Sequence, residues 1–144
     1  MILLDSNVLL YAYSSSSPDH PAASRWLTAA LNGAEAIGLP WLTVLAFLRV
    51  STNRRIYREP HSTAEALAII SDLLALPNVI AVVPGERHWG IFQQLVKEGG
   101  VTGDLIMDTH LAALTIEHGA TLCSTDRDFT RFPGLRLVNP LQAG

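Results

Sequence analysis

Several things are scarce in this chain, and each scarcity removes a class of protein. Among 144 residues there is one cysteine, Cys123, so no internal disulfide can form and the chain suits a reducing cytoplasm. Set in the apolar run ATLCST, that thiol reads as a buried structural one. No apolar run reaches the roughly 20 residues that a membrane-spanning helix needs. The N-terminus has no basic segment and meets Asp5 too soon for a secretory signal. Basic excess is lacking too: ten Lys and Arg against thirteen Asp and Glu leave a net charge of −3, so any polyanion must be met by a local basic patch or a metal ion. Repeats, low-complexity tails and linkers are absent, as are GxGxxG, P-loop, HExxH, CxxC and GxSxG spacings. The five histidines have no ligand spacing, and His110 and His118 read as structural side chains.

What is present is enough for one domain spanning residues 1–144. The hydrophobic share is 49%, ample for a single core at a length near the commonest domain size. Helix and strand signals alternate. Met1-Ile-Leu-Leu is a short apolar run stopped by Asp5-Ser6-Asn7, the form of a strand buried on both faces. Helices are predicted over Asn7 to Tyr13 and over His20 to Asn32, stopped by Gly33. Ala36 to Leu39 reads as a strand, and Pro40 opens a helical stretch, WLTVLAFLRVSTN. Ser62-Thr63-Ala64-Glu65 is a capping box ahead of ALAIISDLLAL. Val79 to Val83 is a further strand, Glu86 to Glu98 a helix, and Arg136 to Val138 a short edge strand. Strands separated by helices predict an α/β fold with a mainly parallel central sheet flanked by helices.

The stretch GDLIMDTHLAALTIEHGATLCSTDRDF, from Gly103 to Phe129, organises the rest. A helix from Asp108 to Gly119 travels roughly 15 Å at about 1.5 Å per residue, and five extended residues return roughly 16 Å. Asp126 therefore lands beside Asp108. With the first strand parallel to this one, Asp5 arrives at the same sheet edge, where open α/β sheets build their sites. Crowded carboxylates repel one another, so a cluster of Asp5, Asp108 and Asp126 points to a divalent cation, and oxygen-only ligands favour Mg²⁺ or Mn²⁺ over zinc. Singly, each acid also has an ordinary role: Asp5 can form a strand-end turn, and Asp126 or Asp128 can cap the turn before Phe129. Asp126 is preferred over Asp128 because the strand delivers it first. Asn7, Ser124 and Thr125 are candidates to hydrogen-bond around the metal, although Asn7 equally suits helix capping. The one dense basic stretch, RVSTNRRIYR, offers Arg49, Arg54, Arg55 and Arg58 for phosphate contacts and Tyr57 for base stacking.

LLDSNVLLYA near the start and DTHLAALTIEHGATLCSTDRDF near the end, in this order and at this length, resemble the PIN domain, and within it the VapC-type toxins of type II toxin–antitoxin pairs. The resemblance covers nearly the whole chain. It implies a three-layer PIN-like fold, Mg²⁺- or Mn²⁺-dependent endoribonuclease activity leaving 5′-phosphate and 3′-hydroxyl ends, and Asp5, Asp108 and Asp126 as metal-site carboxylates. It also implies a cognate VapB-type antitoxin and assembly as a homodimer or toxin–antitoxin hetero-oligomer, to which Trp41, Phe47 and Leu48 would offer an apolar surface if they are not simply core. One position departs from the pattern. The family usually carries a glutamate on the helix that here reads TVLAFLRV, where Ala46 or a neighbour stands, and no acid occurs between Glu35 and Glu59. Asp104, one helical turn before Asp108, is the candidate to replace it, and an ordinary first-turn acid is the competing role. The missing glutamate also motivates an alternative: a PIN-fold RNA- or protein-binding module with weakened or absent catalysis. An aspartate-nucleophile phosphatase is a third reading, disfavoured because position 7 is Asn.

Overall fold

The computed structural model describes residues 1–142, and its strands all run parallel. The sheet has the order β3-β2-β1-β4-β5, where β1 is Ile2–Leu4, β2 Ile37–Pro40, β3 Val79–Val82, β4 Thr121–Cys123 and β5 Arg136–Val138. Leu3 sits opposite Gly38 on one side and Leu122 on the other, so the first short strand is the middle of the sheet. Its alternation explains its apolar content. Leu4 and Cys123 face one core, while Leu3 and Leu122 face the other, and all four are essentially inaccessible.

The first core lies beneath four helices: α1 (Ser6–Ala12), α2 (His20–Leu31), α3 (Trp41–Ser51) and α4 (Thr63–Leu74). They contribute Val8, Leu9, Leu27, Phe47 and Ile70. The second core lies under α5 (His88–Gly99) and α6 (Leu105–Glu117), with Leu95, Leu111 and Leu114. Phe129 and Phe132, flanking the end of a 3-10 turn (Arg127–Arg131), close it. This is the three-layer α/β/α arrangement that the alternating signals imply. The predicted capping box is made in full: Ser62 Oγ accepts the Glu65 N–H at 3.1 Å, and the Glu65 carboxylate accepts the Ser62 N–H at 3.2 Å. Gly38 has a packing role, because a Cβ there would sit 2.8 Å from Val82 and 2.9 Å from Leu3.

Of the two roles open to Trp41, Phe47 and Leu48, core or partner surface, the structure gives the core to two. Phe47 is fully buried and Leu48 packs against the first core, so neither offers partner surface; Trp41 remains half exposed. Phe47 is drawn inward because α3 crosses α1, where the Tyr13 ring meets it edge-on at 6.0 Å. Among the described residues, no helix is long and apolar enough to cross a membrane.

Candidate metal centre

Chain direction in the sheet creates the site. From β1 the chain moves outward to β2 and β3, then returns to the other side of β1 to form β4. The helices that follow β1 and β4 therefore diverge to opposite faces, leaving a crevice at the strand ends, the switch point where open α/β sheets bind ligands. Asp5 follows β1 and Asp126 follows β4 by two residues beyond Ser124. α6 carries Asp108 in its first turn to the same edge.

Asp5 is held by three donors. Its Oδ1 accepts the Ser6 N–H at 2.8 Å and so caps α1, while Oδ2 accepts the Ser124 hydroxyl at 2.7 Å and the Asn7 amide at 3.2 Å. A carboxylate offers about four lone-pair positions, so one is left to face a ligand. Ser124, nearly inaccessible, is the hub of this network. Besides donating to Asp5, its oxygen accepts the Asp126 N–H at 3.0 Å and lies 3.3 Å from the Asn7 amide nitrogen. Asn7 Oδ1 also accepts the Thr125 N–H at 3.3 Å. Of the polar residues expected around the acids, Asn7 and Ser124 thus act through their side chains. Thr125 takes part through its backbone, because the chain turns there out of the sheet.

Asp126 caps the 3-10 turn, its Oδ1 accepting the Asp128 N–H at 2.9 Å. That turn folds Asp128 back. Carboxylate oxygens of Asp108, Asp126 and Asp128 come within 4.8 Å of one another. Asp5 stands beside the three, sharing with Asp108 a cleft of about 160 Å³ that also has Ala46 and Arg49 in its wall. Asp104 is exposed at the N-cap of α6 and lies outside the acidic group and that cleft. Its αR backbone, with φ −61°, makes it part of the helix end rather than of the crevice. Chain order favours Asp126 over Asp128; the Asx turn at Asp126 is the signal that brings both in. Arg131 lies outside the expected site residues, yet its positive charge acts on Asp108.

The electrostatics follow from this crowding. The Asp108 carboxyl is pushed up to about 6, first by burial and then by the charges of Asp126, Asp5 and Asp128, with Arg131 opposing. Asp5 is also raised, by burial above all and in part by Asp126, against the lowering hydrogen bonds from Ser124, Ser6 and Asn7. Four crowded acids, opposed only by Arg49 in the cleft wall and Arg131 among the cations named, are an unfavourable arrangement for the bare protein and a suitable donor set for a hard divalent cation. The residues fit such an ion. In the stretch where the family usually carries a glutamate, Ala46 lines the cleft and offers no oxygen.

Of the basic residues, Arg49 enters the acidic cleft, Arg54 lines a separate polar depression with Thr52 and Ser62, and Arg55 is exposed away from both. His110 Nδ1 meets His88 Nε2 at 3.1 Å, and the His118 ring donates to the Val83 carbonyl at 2.9 Å.

Comparison with known proteins agrees with this architecture. Residues 2–135 match the PIN domain. The chain is 39% identical over 140 residues to Ribonuclease VapC37 of Mycobacterium tuberculosis, covering 97% of each. It is 41% identical over 141 residues to Ribonuclease VapC43 of the same species, covering 98% of this chain and 96% of that one. Among solved structures, VapBC2 from Rickettsia felis bound to a promoter DNA fragment superposes with a TM-score of 0.64 at 20% identity, covering 96% of this chain and 98% of that one. The sarcin-ricin-loop-cleaving toxin VapC20 of M. tuberculosis gives 0.65 at 16%, covering 94% and 99%. The chain belongs to the PIN-domain family and, within it, to the VapC ribonucleases.

Proposed function

We propose that this protein is a Mg²⁺- or Mn²⁺-dependent endoribonuclease toxin whose cation is held by Asp108, Asp126 and Asp128 with Asp5 beside them. The observation that carries the reading is the meeting of carboxylate oxygens from α6 and the turn after β4 within 4.8 Å, next to an Asp5 already oriented by Ser6, Asn7 and Ser124. A divalent cation bound there supplies Lewis-acid chemistry: it makes water a better nucleophile and neutralises charge on a phosphodiester. The chain's own groups do the remainder. Arg49 is the one cation in the wall shared with Asp5 and Asp108, placed to bind a phosphate oxygen. Ser124 and Asn7 fix the rotamer of Asp5, and Asp126 fixes the turn that presents Asp128. Asp108, raised to about 6, must lose its proton to take part, so activity should rise as pH passes through about 6.

By analogy with the toxin–antitoxin complexes that share its fold, the partner is a VapB-type antitoxin, in a homodimer-based or mixed oligomer. The test is RNA cleavage with Mg²⁺ or Mn²⁺ against EDTA, alongside Asp108→Asn and Asp126→Asn proteins shown to be folded. Metal-dependent cutting lost in both variants supports the proposal. Ala46 in the cleft favours one second reading, a module that binds RNA without cutting it; tight binding with no cleavage at any metal concentration would establish that instead.

A further inference from the structure

A second cleft, of about 210 Å³, opens on the far side of α3 from the acids. Its walls are Tyr13 at the end of α1 and the loop at 57–61 with Tyr57, Arg58 and Glu59; the buried Phe47 and Ser51 of α3 lie beneath them, and the serine loop at 14–16 forms the rim. Three features give it the character of a ligand site. Its walls are fixed in advance, because His61 bridges them: the ring donates to the Tyr13 carbonyl at 2.8 Å and the backbone N–H to the Ser51 carbonyl at 3.0 Å. Its lining is aromatic below and hydroxylic above. And Ser51, only 3% exposed, has a hydroxyl with no hydrogen-bond partner; a buried polar group left so normally has one.

Size limits the occupant. A cavity of about 150 Å³ lined by apolar side chains holds benzene, so this one has room for a single heteroaromatic ring system. Position limits it further. Ala46 and Arg49 of α3 line the acidic cleft while Phe47 and Ser51 line this one, so the two clefts open on different faces of one helix, offset by about 7.5 Å along its axis. Charge points the same way. Arg49, Arg54 and Arg58 lie in the acidic cleft, in the depression beside His61 and in this cleft respectively, the last two with Glu65 and Glu59 in the same walls, so each of the three depressions offers a guanidinium to a phosphate.

We infer that this cleft receives one splayed nucleobase of the RNA, on a strand that passes round α3 from the phosphate at the acidic site, and so sets a base preference near the cut. The inference rests on the nuclease reading for its geometry. In it the base lies against Tyr13 or Tyr57, Arg58 meets the adjoining phosphate, and the Ser51 hydroxyl, inaccessible behind the wall, meets the base edge by a turn of its rotamer. Single-stranded RNA is recognised in this way, by unstacked bases on aromatic side chains with polar groups reading their edges.

The test uses the full-length protein in EDTA, where binding is read without cutting. A short random-sequence RNA pool is selected for binding, the retained molecules are sequenced, and each position of the best binder is then made abasic in turn. Wild type should enrich one base type at one position, and removing that base should weaken binding roughly tenfold, within the range of one stacked base. Ser15→Trp, a change at an exposed rim residue that plugs the cleft, should flatten this dependence to less than about twofold, and Ser51→Ala should reduce it. A wild type indifferent to every base, or a plugged variant with an unchanged position profile, overturns the inference. So does a plug that spares the profile and instead abolishes inhibition by a protein partner. The two proposals fail separately: position-specific binding without metal-dependent cleavage removes the nuclease reading and keeps the subsite, whereas cleavage without base preference removes the subsite alone.

Discussion

Replacing Asp108 by Asn should make the metal-free protein more stable and the metal-loaded protein less so. In the folded state the Asp108 carboxyl is raised from 3.8 to about 6, which means that folding favours its protonated form. A shift of about two units corresponds to roughly 3 kcal/mol against the charged form. Because Asp108 is only partly buried, solvent screening reduces the effect on stability to about 1 kcal/mol. The sign is that of a raised acid: the stability is fully present below 3.8, is lost as pH climbs through about 6, and the penalty is complete near pH 7.5. The amide that replaces the carboxyl does not titrate and carries no charge toward Asp126, Asp5 or Asp128. In EDTA at about pH 7.5, Asp108→Asn should therefore melt about 3 °C above wild type, and the gap should close by about pH 4. Adding Mg²⁺ reverses the order, since a ligand at about a hundred times its Kd stabilises wild type by about 2.7 kcal/mol and the variant has lost a ligand. The assay is thermal unfolding across pH with and without metal. A variant that melts at or below wild type in EDTA near neutral pH, or that Mg²⁺ stabilises equally, would refute the argument that these acids are held together against their repulsion in readiness for a cation.

Other changes probe the same site from different directions. Ser124→Ala leaves Asp5 with two donors and the Asp126 N–H without its acceptor; Mg²⁺ affinity by calorimetry should fall roughly 10- to 100-fold, as for other residues that orient metal ligands, and an unchanged affinity would remove Ser124 from the site. Ala46→Glu puts an oxygen ligand into the cleft wall, so metal should bind at least about tenfold tighter while the EDTA melting temperature drops; weaker binding would mean the new side chain points elsewhere. Arg49→Ala should weaken RNA binding across all sequences and lower the salt slope by about one, a result that equal slopes in the two proteins would contradict. Thr43→Val removes the buried hydroxyl that donates to the Leu4 carbonyl at 2.7 Å; it should cost about 1–3 kcal/mol in denaturant unfolding, and a loss under about 0.5 kcal/mol would show that α3 is seated by packing alone.

Much of the framework was legible because the local signals are strong. The run at Ile2–Leu4, the capping box at Ser62 and the glycine stop at Gly119 each fix an element by short-range chemistry. The parallel sheet then follows from the alternation, and with it the shared edge of Asp5 and Asp126. What the residues alone did not decide was the fine geometry of the turn after β4. Asp128 joins Asp108 and Asp126 because Asp126 caps a 3-10 turn; a capped turn before Phe129 is legible in the residues, but not that it folds Asp128 back toward Asp108. Asp104 had the right helical spacing from Asp108 and the wrong place, since it ends the helix in solvent. The buried fate of Phe47 also depends on how α3 crosses α1, a tertiary contact outside the reach of periodicity.

The placement of β1 has a consequence for how the chain matures. Leu3 and Leu4 lie between β2 and β4 and pair there with residues as distant as Leu122 and Cys123, and such non-local pairing is slow and comes late. A nascent chain that has been synthesised only as far as residue 120 can collapse its first four helices, yet it has neither the neighbouring strand nor the turn that delivers Asp126 and Asp128. Its acidic pocket cannot exist until the turn at 126–128 has been made, so a product interrupted before that turn should carry no cutting power, and a protein inhibitor has no acidic site to block until then.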